Sequence, residues 1–122
     1  MSSTLPQSDD FMSAPVFEIE KALKRVHQKK DLLARVIDIY VNSLSERVDT
    51  IKNELVNENW EALGTLVHSI KGSSWTIGAQ QLGDIAFAME KAAADKDMTL
   101  FHHLFQIFQA SVQRFFEVEK KL

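Results

Sequence analysis

One short segment of this chain holds the side chains best suited to chemistry: His68-Ser69-Ile70-Lys71-Gly72-Ser73-Ser74. A histidine ring nitrogen can act as a nucleophile and form a covalent intermediate. The cargo we expect on that nitrogen is a phosphoryl group. Lys71 follows three residues later, within side-chain reach of whatever the imidazole carries on a helix. The lysine cation would offset the charge of the phosphoryl oxygens, and phosphoryl transfer depends mainly on positioning and on such electrostatic stabilisation.

The spacing of apolar residues around His68 predicts a helix whose imidazole points to solvent. On a wheel of about 100° per residue, His68 lies about 150° from the centre of the apolar arc. Gly64 and Gly72 lie one turn before and one turn after it. Each glycine costs a helix about 1 kcal/mol relative to alanine. Their place on an exposed face is intelligible if another molecule brings its backbone up against the imidazole.

The elements that must position this segment are helices. Apolar residues spaced by three and four predict five of them. They cover 16–27, 31–56, a third helix capped by Asn59 and ended by Gly78, 79–94, and a last helix capped by Asp97. Short connections make neighbouring helices antiparallel. The predicted fold is therefore all-α: over residues 16–122, an antiparallel up-down four-helix bundle with a short additional N-terminal helix.

Residues 1–15 differ from the rest of the chain. They are polar, rich in Ser and Asp, and contain both prolines, Pro6 and Pro15. We expect this segment to be a flexible N-terminal tail. Beyond Pro15 there is no proline, and the four glycines all lie between Gly64 and Gly83. This distribution is hard to reconcile with a β fold that needs many turns.

Composition excludes several classes of function. Fourteen Lys and Arg against seventeen Asp and Glu give a net charge of −3, which argues against a nucleic-acid binder. The absence of cysteine excludes disulfides, zinc ribbons and thiol catalysis. No apolar run has the length of a membrane span, and the N-terminus lacks the cationic start and apolar stretch of a secretory signal. The expected protein is a single soluble, cytoplasmic domain with no membrane partner.

The segment from His68 to Leu82, HSIKGSSWTIGAQQL, closely resembles the signature of histidine-containing phosphotransfer (HPt) domains. These domains relay phosphoryl groups between receiver-domain aspartates in multistep two-component signalling. The resemblance extends over residues 16–122 and implies that His68 is the phosphoacceptor, with Lys71 in support and Gly72 as the helix-packing glycine. In relatives a Gln or Glu on the next helix often hydrogen-bonds the other imidazole nitrogen. By spacing, that position here is Glu90.

The chain departs from relatives at two places. The turn His27-Gln28-Lys29-Lys30-Asp31 stands where many relatives have a Gly-Asp or Gly-Asn pair. Trp75 stands where relatives often have a small residue. It projects on nearly the same face as His68, about 10 Å along the helix axis. We assign Trp75 and Phe87, together with the two glycines beside His68, to a partner-binding surface. The alternative for both aromatic side chains is packing against the N-terminal helix or tail.

The function implied by the resemblance is that of a phosphorelay intermediate, free-standing because the chain begins with a native-looking Met1. Phospho-His68 would carry the group between receiver-domain aspartates of a hybrid sensor kinase and a response regulator, through a modest and transient interface. The sequence has no Gly-rich phosphate loop, so we expect a phosphocarrier rather than an enzyme with kinase activity. We expect a monomer without a cofactor of its own, and Mg²⁺ supplied by the partner receiver.

Two alternatives stay open at this point. A helical adaptor could bind and sequester receivers without accepting phosphate, because a fold does not fix a function. A helical metal or cofactor bundle would need more inward-facing ligands than the sequence offers. His102 and His103 diverge on a helix and lack a third ligand, so no metal site is predicted. The direction of phosphoryl flow, forward or back toward the kinase, also stays open.

Overall fold

The computed structural model describes residues 5–122, so the first four residues of the predicted tail lie outside the described range. Six helices account for the secondary structure of that range. They are α1 Asp9–Met12, α2 Ile19–Arg25, α3 Lys30–Val56, α4 Trp60–Ile77, α5 Gln80–Ala94 and α6 Met98–Glu119. The all-α prediction is confirmed. None of the helices in residues 5–122 combines the length and the apolar character that crossing a membrane requires.

The four long helices pack on one another in chain order. Helix α3 packs on α4, α4 on α5 and α5 on α6, while α3 also contacts α6. This is the order of neighbours expected of a four-helix bundle with short connections. Between the helices lies one apolar core, to which α6 contributes Phe101, Phe108 and Phe115, all without exposed surface. Their spacing of seven residues places them on one face of α6.

Helix α4, which carries the candidate site, has well-defined ends. Asn59 Oδ1 accepts a hydrogen bond from Ala62 N at 3.3 Å, as expected of an N-cap. Gly78 ends the helix with φ +94°, a left-handed conformation that glycine adopts readily. Glu18 N donates to Gly78 O at 2.8 Å, so the chain before α2 lies along this turn. For this reason α2 begins at Ile19, three residues later than predicted.

The turn between α2 and α3 forms without glycine. His27 and Gln28 have φ values of 54° and 62°, both in the left-handed region. Gln28 N donates to Leu23 O at 2.8 Å and closes the end of α2. A side chain in this conformation costs about 1–2 kcal/mol per residue. The turn therefore closes with two non-glycine residues in the left-handed region, at the cost of local strain.

Residues 5–15, within the segment predicted to be a flexible tail, pack on the bundle in the structure. Phe11, in α1, is half-buried against the core. Gln81 N donates to Pro15 O at 3.0 Å, and Gln81 Nε2 donates to Ala14 O at 3.2 Å. The Gln81 side chain is buried, and a buried amide requires hydrogen-bond partners. The N-terminal segment provides the acceptor for the amide nitrogen and is thereby held on α5.

Candidate functional site

His68 lies in the middle of α4 on its outer face. Its side chain is 65% exposed, in keeping with the orientation predicted from the apolar spacing. The surface on both sides of it is bare. Beyond the neighbouring backbone of α4 itself, a Cβ atom placed on Gly64 or Gly72 would meet nothing within 4 Å, so Gly72 is not the helix-packing glycine that the resemblance implied. A large molecule can therefore approach the imidazole from solvent along this face of α4.

Glu90, on the neighbouring helix α5, joins the two other residues of the predicted site. Its Oε2 lies 2.7 Å from His68 Nδ1, and its Oε1 accepts a hydrogen bond from Lys71 Nζ at 2.7 Å. The hydrogen bond from Lys71 is the main cause that holds the pKa of Glu90 below its ordinary value of 4.5. Partial desolvation raises the pKa of Glu90, whereas the contact with His68 lowers it further. The carboxylate is therefore ionised at neutral pH.

The contact with Glu90 determines which imidazole nitrogen is free to react. An ionised carboxylate can only accept hydrogen bonds, so Nδ1 of His68 carries the hydrogen and donates it. In the neutral ring the lone pair is then on Nε2, the nitrogen that Glu90 does not contact. The arrangement supplies a nucleophilic nitrogen together with an anion that can stabilise positive charge on the ring.

Lys71 is held in place and is not a solvated surface lysine. Its side chain is only 17% exposed, although it lies one turn from the exposed His68. Besides the ion pair with Glu90, its Nζ lies 5.9 Å from the ring centroid of Trp75 and 5.4 Å from that of Phe87. These distances are within the range of cation–π attraction.

Trp75 and Phe87 face each other across the contact between α4 and α5, with ring centroids 6.0 Å apart. Trp75 lies on Gly83, where an added Cβ would be 2.1 Å from its Cδ1 atom. Its Nε1 donates to Asp84 Oδ1 at 3.0 Å. The indole contacts of Trp75 therefore come from α5, whereas the sequence predicted contact with a partner or with the N-terminal helix or tail. Phe87 remains 40% exposed.

Two grooves, one beside His68 and one elsewhere along α4, were not predicted from the sequence. An open groove between α4 and α5 runs beside His68, and Trp60 and Lys96 contribute to its lining. A second groove of about 460 Å³ lies between α2, α3 and α4, with a largely apolar lining that includes Val36 and Ile39. Both residues lie off the inner apolar stripe of α3, a signal from which an exposed apolar surface could have been predicted.

The comparisons identify the class of protein. A helical bundle that presents an exposed histidine beside a lysine and a carboxylate is suited to carrying a phosphoryl group. The family model described as Hpt domain matches residues 35–117, which is more than half of the chain and includes the whole site. The chain belongs to the Hpt domain family, whose members are phosphocarriers in two-component phosphorelays and interact with receiver domains. The curated proteins and the solved structures searched contain no match.

Proposed function

We propose that this chain relays a phosphoryl group, through Nε2 of His68, between the receiver aspartates of a hybrid sensor kinase and a response regulator. The observation that carries the proposal is the 2.7 Å contact between His68 Nδ1 and Glu90 Oε2. It orients an exposed ring and leaves the lone pair on the nitrogen that Glu90 does not contact. A surface histidine without function would need no such partner.

In the transfer step, Nε2 of His68 attacks the phosphorus of a receiver's aspartyl phosphate. The Nε2–P bond forms as the bond from phosphorus to the aspartate oxygen breaks, and the aspartate leaves as a carboxylate with the electron pair. The ring becomes positively charged, and Glu90 stabilises it through the hydrogen bond from Nδ1. The reverse step, with the aspartate of a second receiver as nucleophile, returns the neutral imidazole.

Lys71 supports this step by its charge. Its ammonium and the imidazole both bond to the Glu90 carboxylate, so the ammonium lies beside the imidazole. From there it can offset the negative charge of the three phosphoryl oxygens. Both oxygens of Glu90 are bonded to side chains of this chain. We therefore assign the Mg²⁺ used in the reaction to the receiver, with its own acidic residues as ligands.

Approach of a receiver is favoured by the shape of the surface. The open positions at Gly64 and Gly72 let a receiver backbone come close to Nε2. The apolar groove that includes Val36 and Ile39 borders α4 and offers burial of apolar area. Because a carrier must release both partners, we expect an interface at the small end of the range for protein complexes.

The proposal is tested by transfer of labelled phosphate from a phosphorylated receiver. We expect label on the wild-type chain, none on His68→Gln, and its passage to a second receiver added later. His102→Gln, an exposed histidine on α6, is the matched control and should be labelled like the wild type. Equal labelling of His68→Gln would place the acceptor elsewhere. Receiver binding by a wild-type chain that stays unlabelled would instead establish the adaptor function.

A further inference from the structure

The Trp75 ring is fixed more firmly than a residue near the protein surface requires. Its Nε1 donates to Asp84 Oδ1, and that oxygen is itself held by Gln80 Nε2 at 2.8 Å. Its five-membered ring occupies the space that a side chain at Gly83 would need. Phe87 contacts it in a tilted arrangement. Four residues of α5, one of them aromatic, thus determine where the indole lies.

The fixed indole of Trp75 faces the ammonium of Lys71. Nζ lies within 6 Å of the centroids of both aromatic rings, at the distances given above, and 2.7 Å from Glu90 Oε1. A free lysine loses considerable side-chain entropy when its four-carbon stem is ordered. Here the side-chain entropy is lost when the protein folds, because two aromatic faces and one carboxylate confine the ammonium beside His68.

We propose that Trp75 and Phe87 are positioning residues for phosphoryl transfer: they hold Lys71 ready beside His68 before a receiver binds. This inference rests on the proposed function of His68. It gives both aromatic residues a role other than the partner contact predicted from the sequence. A preorganised cation stabilises charge in the transition state without having to be ordered at that moment. Phe87 also has Lys91 Nζ at 4.3 Å from its centroid, so Trp75 gives the cleaner test.

Phosphoramidate separates positioning from docking, because this small phosphoryl donor needs no receiver. Nε2 of His68 attacks its phosphorus, the P–N bond breaks, and the protonated nitrogen leaves as ammonia. We expect Trp75→Leu to slow formation of phospho-His68 about two- to fivefold, from loss of the aromatic face toward Lys71. Trp75→Phe, which keeps an aromatic face, should retain most of the rate. Phe116→Leu, a half-buried aromatic on α6, should react at the wild-type rate.

A double-mutant cycle shows whether Trp75 acts through Lys71. We expect Lys71→Met to be slow and Trp75→Leu to add no further loss in that background. Losses that multiply, or a Trp75→Leu rate equal to wild type, would overturn the inference. If only transfer from a receiver were slowed, Trp75 would belong to the docking surface. Thermal unfolding of each variant is measured in parallel, and Phe87→Leu, combined with Lys71→Met in the same kind of cycle, decides the question if Trp75→Leu does not fold.

The experiments distinguish failure of the proposed phosphoacceptor role of His68 from failure of the positioning role of Trp75. A wild-type chain that takes no label on His68 from phosphoramidate or from a receiver would contradict the phosphoacceptor proposal itself. A wild-type chain labelled on His68, with Trp75→Leu labelled equally fast, would contradict the positioning role alone.

Discussion

At the scale of single residues, Glu90 links His68 to Lys71, since each of its oxygens is bonded to one of them. The resemblance to relatives predicted a site of His68, Lys71 and Glu90, and the structure brings these three side chains into contact. The position of Trp75 was not predictable in this way. Its rotamer depends on Gly83 and Asp84, which the crossing of two helices brings to it, and wheel geometry describes one helix at a time.

Replacing Glu90 by glutamine should make stability depend less on pH. The pKa of Glu90 is lower in the folded protein than its ordinary value of 4.5, mainly because of Lys71. Its contribution is therefore fully present above 4.5 and is lost as the pH falls through the lowered value. We expect Glu90→Gln to be less stable than wild type by about 1 kcal/mol or less at neutral pH.

Urea unfolding of both proteins as a function of pH measures this difference directly. The two free energies of unfolding should converge in acid, where the carboxyl group of the wild type is protonated. A difference that grows as the pH falls would contradict the assignment. Glu61→Gln, an exposed acid in the first turn of α4, serves as the control for a general change of charge.

At the scale of elements, spacing and caps predicted most helix bounds well. Asn59 and Asp97 cap α4 and α6 by accepting from the backbone N–H groups of Ala62 and Leu100. These bonds are local, and local chemistry can be read from a sequence. The later start of α2 could not be predicted from the sequence, because it depends on a hydrogen bond from Glu18 to the distant Gly78.

The glycines of α4 and α5 should respond to alanine in opposite ways. Gly72→Ala adds a methyl group where nothing lies within 4 Å, so we expect it to stabilise the fold by about 1 kcal/mol. It should slow transfer from a receiver, because the methyl group intrudes on the approach to His68. Gly83→Ala places a Cβ at 2.1 Å from Trp75 and should destabilise by about 1–3 kcal/mol.

Thermal unfolding and receiver-transfer rates of the two variants check this contrast. A Gly72→Ala chain that accepts phosphate from receivers at the wild-type rate would show that the bare surface beside His68 is not required. A Gly83→Ala chain as stable as wild type would contradict the close packing of the indole on α5.

At the scale of the whole molecule, the N-terminal segment completes a buried polar network. Gln81 Oε1 accepts from Ser111 Oγ at 2.9 Å and from Arg114 Nη2 at 2.8 Å, while its amide donates to Ala14 O. Composition reports that residues 1–15 are polar. It does not show that a buried glutamine of α5 needs one of their carbonyl groups as a hydrogen-bond acceptor, so the sequence predicts a flexible tail.

Deleting residues 1–15 should lower the stability of the bundle without removing its chemistry. The deletion takes away the acceptors for two donors of Gln81, and we expect a loss of about 1–3 kcal/mol in the free energy of unfolding. Labelling of His68 should persist, because its partners Lys71 and Glu90 lie within α4 and α5. Removal of residues 120–122, which are exposed, is the control. Unchanged stability after the first deletion would contradict the packing of the segment.

The most direct test of the relay is to locate the phosphoryl group on a single atom. The chain contains four histidines, which can be labelled with ¹⁵N in their rings and phosphorylated by a receiver. We predict a ¹⁵N–³¹P coupling at Nε2 of His68, with Nδ1 still hydrogen-bonded to Glu90. Coupling at Nδ1, coupling at another histidine, or a protein that stays unphosphorylated beside an active receiver would contradict the account.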